Sequence, residues 1–330
     1  MIHGCENPQV AAMLRRAPRV TYRMAEPATA LKEAGTLAVF GFGAGSERVD
    51  DPRFVRVGLE SFDAAAPIEL WQVDGPVYCG AEGALRWSSG DGWLFTAIEL
   101  DEREHGGPAA TAKLAYEQLH RFLAGRRDHH VLRMWNYLGA INQGEGDAER
   151  YKHFCDGRAS GMGDFFAEGF PAATAIGHRG DLHLLQIYLL ACDQPGHRVE
   201  NPRQVSAWHY PRQYGRTPPS FARAMTLPAR DALAISGTAA IVGHTSTHQD
   251  DLDAQLDETL ANLEALLGSA GMVAEFDTLS PLKIYVRHGA DAARVRAFAR
   301  QRLPGVPVLL LHGDICRREL LVEIDGWRYA

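Results

Sequence analysis

No CxxC pair occurs among the five cysteines of this 330-residue chain. Cys5, Cys79, Cys155, Cys192 and Cys316 lie far apart, and an odd number makes a poor disulfide framework. No apolar run approaches the roughly 20 residues a membrane helix needs. The strongest candidate, Leu182 to Cys192, is short and interrupted by His183 and Gln186. No basic region followed by an apolar core opens the chain, so no secretion signal is read. A reducing cytoplasm is the expected compartment. Positive charge is not in excess: 34 Lys+Arg stand against 41 Asp+Glu, a formal net charge of −7. That balance argues against a general nucleic-acid binder but leaves room for a local basic pocket.

What is present is a large core. Hydrophobic residues make up 46% of the chain, enough for one big domain or two ordinary ones. The opening 35 residues read as irregular, with a basic patch at Arg15, Arg16 and Arg19. Thr36 to Phe42, Glu69 to Val73 and Pro76 to Cys79 read as strand material, and Trp93 to Leu100 as a clearer strand. Ala109 to Leu123 places Ala115, Leu119, Phe122 and Leu123 on one helical face. Val131 to Leu138 and Leu184 to Leu190 read as strands. The second half repeats the order. Ala232 to Ser236 is a strand and Asp250 to Leu267 a leucine-striped helix. Leu282 to Arg287 is a strand, Asp291 to Arg300 a helix, and two strands close the chain. The expected fold is α+β, two related units with mixed sheets and helices on one face of each. Between the halves, residues 201–223 hold four arginines, four aromatics and four prolines, which excludes a long helix.

Candidate chemistry is uneven. Gly41, Gly43 and Gly45 resemble part of a dinucleotide loop, but SERVDDPRF follows where the fingerprint needs a helix. His244 and His248 have H-x3-H spacing, yet they precede the long helix, where Thr247 or Asp250 serves as a cap. Arg133 is a cation inside the apolar strand VLRMWNYL. Such a guanidinium needs either a structural ion pair or a bound carboxylate. Arg158, Arg203, Arg212, Arg216 and Arg223 are further anion ligands, with Tyr137, Tyr210 and Tyr214 as hydrogen-bond donors. Glu323 alternates with Val322 and Ile324, so it faces either solvent or a cleft. In a cleft it would hold its proton and act as a general acid. Cys316, seven residues earlier, either shares that cleft or is a buried structural thiol.

Several long strings carry a resemblance. ISGTA (Ile235–Ala239), QLDETLANLEALLGSAG, KIYVR and LVEIDG resemble the YjgF/RidA superfamily. RMWNYLGAINQGEGDAERYKHFCDGR, ENPRQVSAWHYPRQYGRTPPSFARA and GDICRRELLVEIDG make the whole chain similar to the chorismatase and 3-hydroxybenzoate synthase family. The resemblance spans about residues 35 to 330. It implies two units: a degenerate YjgF-like domain over 1–200, and a second over 201–330 that carries the acid. It implies chorismate as substrate, no metal or other cofactor, and a monomer or weak homo-oligomer without nucleic-acid or membrane partners. Pyruvate would leave together with 3-hydroxybenzoate, with some 4-hydroxybenzoate, or with a dihydrodiol diene acid in the hydrolytic subgroup. Pigment and quinone synthesis are the pathways such hydroxybenzoates feed. By resemblance, Glu323 is the catalytic acid and Cys316 the residue marking hydroxybenzoate synthases. Arg133 and Tyr137 are substrate-binding residues, as are Arg158, Tyr210, Arg212 and Arg223. Gly237 is the accompanying small residue. A YjgF/RidA-like imine deaminase or small-anion binder is the alternative from another class.

Overall fold

The computed structural model describes residues 14–63, 67–126, 128–167 and 169–330. Two seven-stranded sheets in it are wound the same way. In the first, Trp93–Asp101, His130–Gly139, Ala172–His178 and Leu184–Cys192 alternate with helices Pro108–Ala124 and Arg150–Met162. Leu184–Cys192 lies between the first two of these strands and antiparallel to both. His130–Gly139 runs parallel to Ala172–His178. In the second, Ala232–Thr238, Leu282–Val286, Val308–His312 and Val322–Tyr329 alternate with Leu252–Ser269 and Ala292–Arg302. Val322–Tyr329 again lies between the first two strands, antiparallel to both, and the middle pair is again parallel. Element order, strand order and pairing sense all repeat, as the expected α+β duplication requires.

Each strand divides its side chains between two faces, because successive residues point opposite ways. On Trp93–Asp101, Leu94, Ile98 and Leu100 pack under the helices, while Trp93, Phe95 and Ala97 face inward. The long helix of the second unit buries Leu252, Leu256, Leu260, Leu263 and Leu267 against its own sheet. Its N-cap is Asp251, whose carboxylate accepts from Ala254 N; Thr247 and Asp250 do not fill that role.

The inner faces of both sheets share one core with a third, four-stranded sheet. That sheet contains Arg19–Arg23, Ile68–Gln72, Thr36–Phe42 and Phe54–Val57. The opening segment is therefore not wholly irregular. Arg19–Arg23 pairs with Ile68–Gln72, its charged ends masking the strand in the sequence. Trp71 and Trp135 meet at 5.3 Å, and Trp135 stacks on Tyr188 at 4.9 Å.

The sheets also exchange edges. Glu60–Ser61 extends the second sheet and Asp314–Ile315 the first. Ala173 N donates to Ser236 Oγ at 2.8 Å, joining strand Ala172–His178 of the first sheet to the other unit. Residues 201–223 are ordered, with short turns at Ala207–His209 and Arg212–Tyr214. Among the described residues no helix is long and apolar enough to cross a membrane. No helix follows Gly45, so the glycine run is a turn leading to Phe54–Val57. Cys79, Cys155, Cys192 and Cys316 are free thiols; Cys5 lies outside the described residues.

Candidate active site

A cavity of about 260 Å³ opens where the two units meet. Its floor comes from Thr174 on strand Ala172–His178 of the first sheet and from Gly237 and Glu323 on the second. Helix Arg150–Met162 supplies Tyr151, Lys152 and Arg158. The loop before Ala224–Thr226 supplies Tyr210, Tyr214, Phe221 and Arg223. Cys316 and Arg317 come from the turn that leads into the last strand. The proline-rich sequence keeps this segment out of a long helix, and short turns at Ala207–His209 and Arg212–Tyr214 bring its aromatic residues to the cavity.

Glu323 is 5% exposed and sits opposite Tyr285 in the sheet. Among the described residues no group donates a hydrogen bond to its carboxyl. Burial, followed by the charge of Asp325, pushes it up to about 8, while Arg133, Arg223 and Arg287 pull the other way. It therefore holds a proton at neutral pH. Cys316 shares the cavity, and burial pushes its thiol far above the ordinary range. It is a neutral, weakly polar surface there and not a thiolate.

The walls are cationic. Lys152, Arg158, Arg223, Arg317 and Arg318 line the cavity, against the carboxyls of Glu149, Glu319 and Glu323. Several donors on these arginines are buried without a partner: Arg158 Nε, Arg223 Nε and Arg317 Nη2. Arg223 Nη2 donates to Tyr210 Oη at 2.6 Å and to the Val205 carbonyl at 2.9 Å. Arg317 lies 3.9 Å from the centre of the Tyr214 ring and is held by the His244 carbonyl and Ser246 Oγ. Orphaned guanidinium donors in a closed space are costly unless an anion completes them. The arrangement suits a small, multiply charged anion next to a proton donor.

Comparison with known proteins agrees with that chemistry. Residues 69–191 match the family profile described as Chorismatase FkbO/Hyg5-like, N-terminal. A 3-hydroxybenzoate synthase of Streptomyces hygroscopicus is 35% identical over 276 residues, 78% of this chain and 80% of that one. The chain belongs to the chorismatase and 3-hydroxybenzoate synthase family of enzymes. A chorismatase of Streptomyces hygroscopicus is 34% identical over 294 residues, 84% of each chain. The crystal structure of a chorismatase superposes with a TM-score of 0.83 at 31% identity, over 96% of this chain and 99% of that one.

Within this chorismatase-family chain, the sequence-derived residues fall into two sets. Glu323, Cys316, Gly237, Arg158, Tyr210 and Arg223 all line the cavity. Arg133, Tyr137 and Arg212 do not. Arg133 is fully buried behind the floor, where Asp325 and Thr174 take its guanidinium. Tyr137 hydrogen-bonds to Tyr188 and Tyr285 in the inter-sheet core. Arg212 is exposed and, with Arg216, grips Asp147 outside the cavity. Arg203 pairs with Glu258 on the long helix. The two histidines separate: His248 sits on Glu258, and His244 lies beside Tyr214. Among the described residues no cluster of three or more His, Cys, Asp or Glu side chains could hold a metal ion.

Lys152, Asn136 and Thr174 line the cavity without having stood out in the sequence. Asn136 directly precedes Tyr137, already singled out, but it faces the helices, where Tyr116 Oη donates to it at 2.7 Å. Lys152 offered no signal of this kind, because a spacing of six turns it off the helical face that carries Arg158.

Proposed function

We propose that the protein converts chorismate to 3-hydroxybenzoate and pyruvate, with Glu323 as the proton donor. The observation that carries this reading is the Glu323 carboxyl, buried, free of donors and raised to about 8, in a cavity lined by cations. The first unit, residues 1–200, supplies the helix wall; the second, 201–330, carries the acid.

The chemistry follows from the substrate. Chorismate is a dicarboxylate with an enolpyruvyl ether. The guanidinium groups of Arg158, Arg223 and Arg317, which line the cavity, suit its two carboxylates. An enol ether is a poor electrophile until its methylene carbon takes a proton. A protonated Glu323 supplies that proton and leaves an oxocarbenium-like centre beside the new carboxylate. The negative charge on Glu323 then stabilises the cation it has made. Attack by an oxygen nucleophile breaks the ether and releases pyruvate. An intramolecular route to 3-hydroxybenzoate consumes no water; the hydrolytic route to a diene acid consumes one.

Relatives of both names match this chain at 35% and 34% identity, so overall identity does not separate the two products. Cys316 does lean toward the synthase. Its neutral thiol fills cavity space beside Glu323 with a surface that holds water weakly. Some 4-hydroxybenzoate is compatible with the same acid.

The test is direct. Purified protein is incubated with chorismate and the products are separated by chromatography. 3-Hydroxybenzoate with equimolar pyruvate supports the proposal. A diene acid supports the hydrolase reading instead. No turnover of chorismate sinks both.

A further inference from the structure

Arg133 and Asp325 form an ion pair that lies entirely behind the cavity floor. The guanidinium Nη2 is 3.0 Å from Asp325 Oδ2, and both residues are fully buried. The same Oδ2 accepts from Trp135 Nε1 at 2.9 Å and from Tyr285 Oη at 2.9 Å. A pair this deep adds little stability over a well-packed apolar replacement. Its position relative to Glu323 gives it another use.

Two routes connect the pair to Glu323. The first is the strand itself: Glu323 and Asp325 are two residues apart, so both project from one face. The second is Thr174. Its Oγ1 accepts from Arg133 Nη2 at 2.6 Å and donates to Asp325 Oδ2 at 2.7 Å. It also accepts from Gly237 N at 3.0 Å. Gly237 in turn is packed against Glu323 Oε1.

We propose that Arg133 and Asp325, linked through Thr174, are positioning residues for the Glu323 carboxyl and not ligands of the substrate. This rests on the reading of Glu323 as the proton donor. Two carboxyls side by side on one buried face resist being ionised together. Arg133, Trp135 and Tyr285 all give hydrogen bonds to Asp325, and none of the described groups gives one to Glu323, so the two carboxyls are held unequally. The hydrogen bonds of Thr174 fix the Gly237 backbone against which the Glu323 carboxyl packs.

The charged and titratable groups facing Glu323 come from several elements. Asp325 is on its own strand and Arg133 on His130–Gly139. Arg223 precedes Ala224–Thr226, Arg287 follows Leu282–Val286, and Cys316 lies in the turn before the last strand. Of these, Asp325 raises the Glu323 value and the three arginines lower it. Removing the Asp325 charge therefore moves Glu323 down.

The experiment compares kcat and KM for chorismate across pH in four variants. Asp325→Asn is expected to move the alkaline limb of kcat/KM down by one pH unit or more, with KM within twofold. Thr174→Val is expected to lower kcat tenfold or more with KM within twofold, and Thr174→Ser to restore it. If Asp325→Asn does not fold, the Thr174 pair decides alone. An unmoved alkaline limb in Asp325→Asn overturns the proposal. So does a Thr174→Val enzyme with normal kcat, or one whose loss is all in KM. Glu323→Gln run alongside separates the two levels. If it keeps full rate, the donor reading fails and takes this one with it. If it is inactive while the other variants behave as wild type, only the positioning role fails.

Discussion

The Glu323 carboxyl lies against the bare Cα of Gly237. A methyl group built there would stand 1.9 Å from Glu323 Oε1, far inside contact distance. The constraint is one of space: the strand pairing shifts register between Ile235 and Thr238, but Gly237 is absent from the positive-φ glycines. Gly237→Ala must therefore push the carboxyl aside without straining the backbone. The expected result is a kcat lowered by roughly ten- to a hundredfold, in line with small displacements of a catalytic group. Thermal unfolding should change little. A Gly237→Ala enzyme with wild-type kcat would show that the carboxyl need not lie there.

Activity should require the protonated form of Glu323. Its value of about 8 leaves the acid mostly protonated at pH 7. Above pH 8, kcat/KM should fall about tenfold per pH unit. The same shift acts on stability. The carboxyl binds its proton more tightly folded than at its ordinary value of 4.5. Its contribution is complete below that value and is lost as pH rises toward 8. Glu323→Gln carries no such ionisation. The melting temperature of that variant, relative to wild type, should rise as pH goes from 5 to 9. A difference that stays flat with pH contradicts the buried acid.

Cys316 should be slow to alkylate. Cys316 is half-buried and its thiol is held protonated, whereas Cys79 is exposed. Iodoacetamide at pH 7.5, followed by peptide mass analysis, should label Cys79 first and Cys316 only on unfolding. Cys316→Ala should keep chorismate turnover but raise the share of diene acid, because the smaller side chain leaves room for water. Rapid labelling of Cys316 in the folded protein contradicts a neutral thiol.

Lys283 and Glu69 join the four-stranded sheet to the second unit. Nζ donates to Glu69 Oε2 at 3.0 Å, both side chains are buried, and Trp71 Nε1 donates to the other carboxylate oxygen at 2.7 Å. Lys283→Met leaves a buried carboxylate without its cation. It should destabilise the protein by about 3–5 kcal/mol in denaturant unfolding, the usual cost of breaking such a pair from one side. A double variant, Lys283→Met with Glu69→Leu, should recover most of that loss.

The duplication was legible because both halves keep the same alternation of strand and helix. WLFTAIEL and ALAISGT read as equivalent strands, and the leucine stripe from Leu252 to Leu267 marks its helix without ambiguity. Arg19–Arg23 was not legible, since a five-residue strand with arginine at both ends reads as surface. In the site, Glu323 could be singled out because its neighbours Val322 and Ile324 are apolar. Arg133 could be recognised as a buried cation in need of an anion. The strand pattern could not say which anion, because Asp325 lies 192 positions away and pairs only after the sheets close. Arg212 shows the converse: it sits in a basic loop beside the cavity, yet local geometry turns it outward to Asp147.

The most direct measurement is pyruvate release from chorismate at pH 7 by wild type and Glu323→Gln, both confirmed as folded. The glutamine keeps the shape of the protonated acid but has no proton to give. Steady release by wild type, with a loss of at least a thousandfold in the variant at unchanged chorismate binding, is the predicted result. Release by Glu323→Gln at a rate close to wild type would contradict the account.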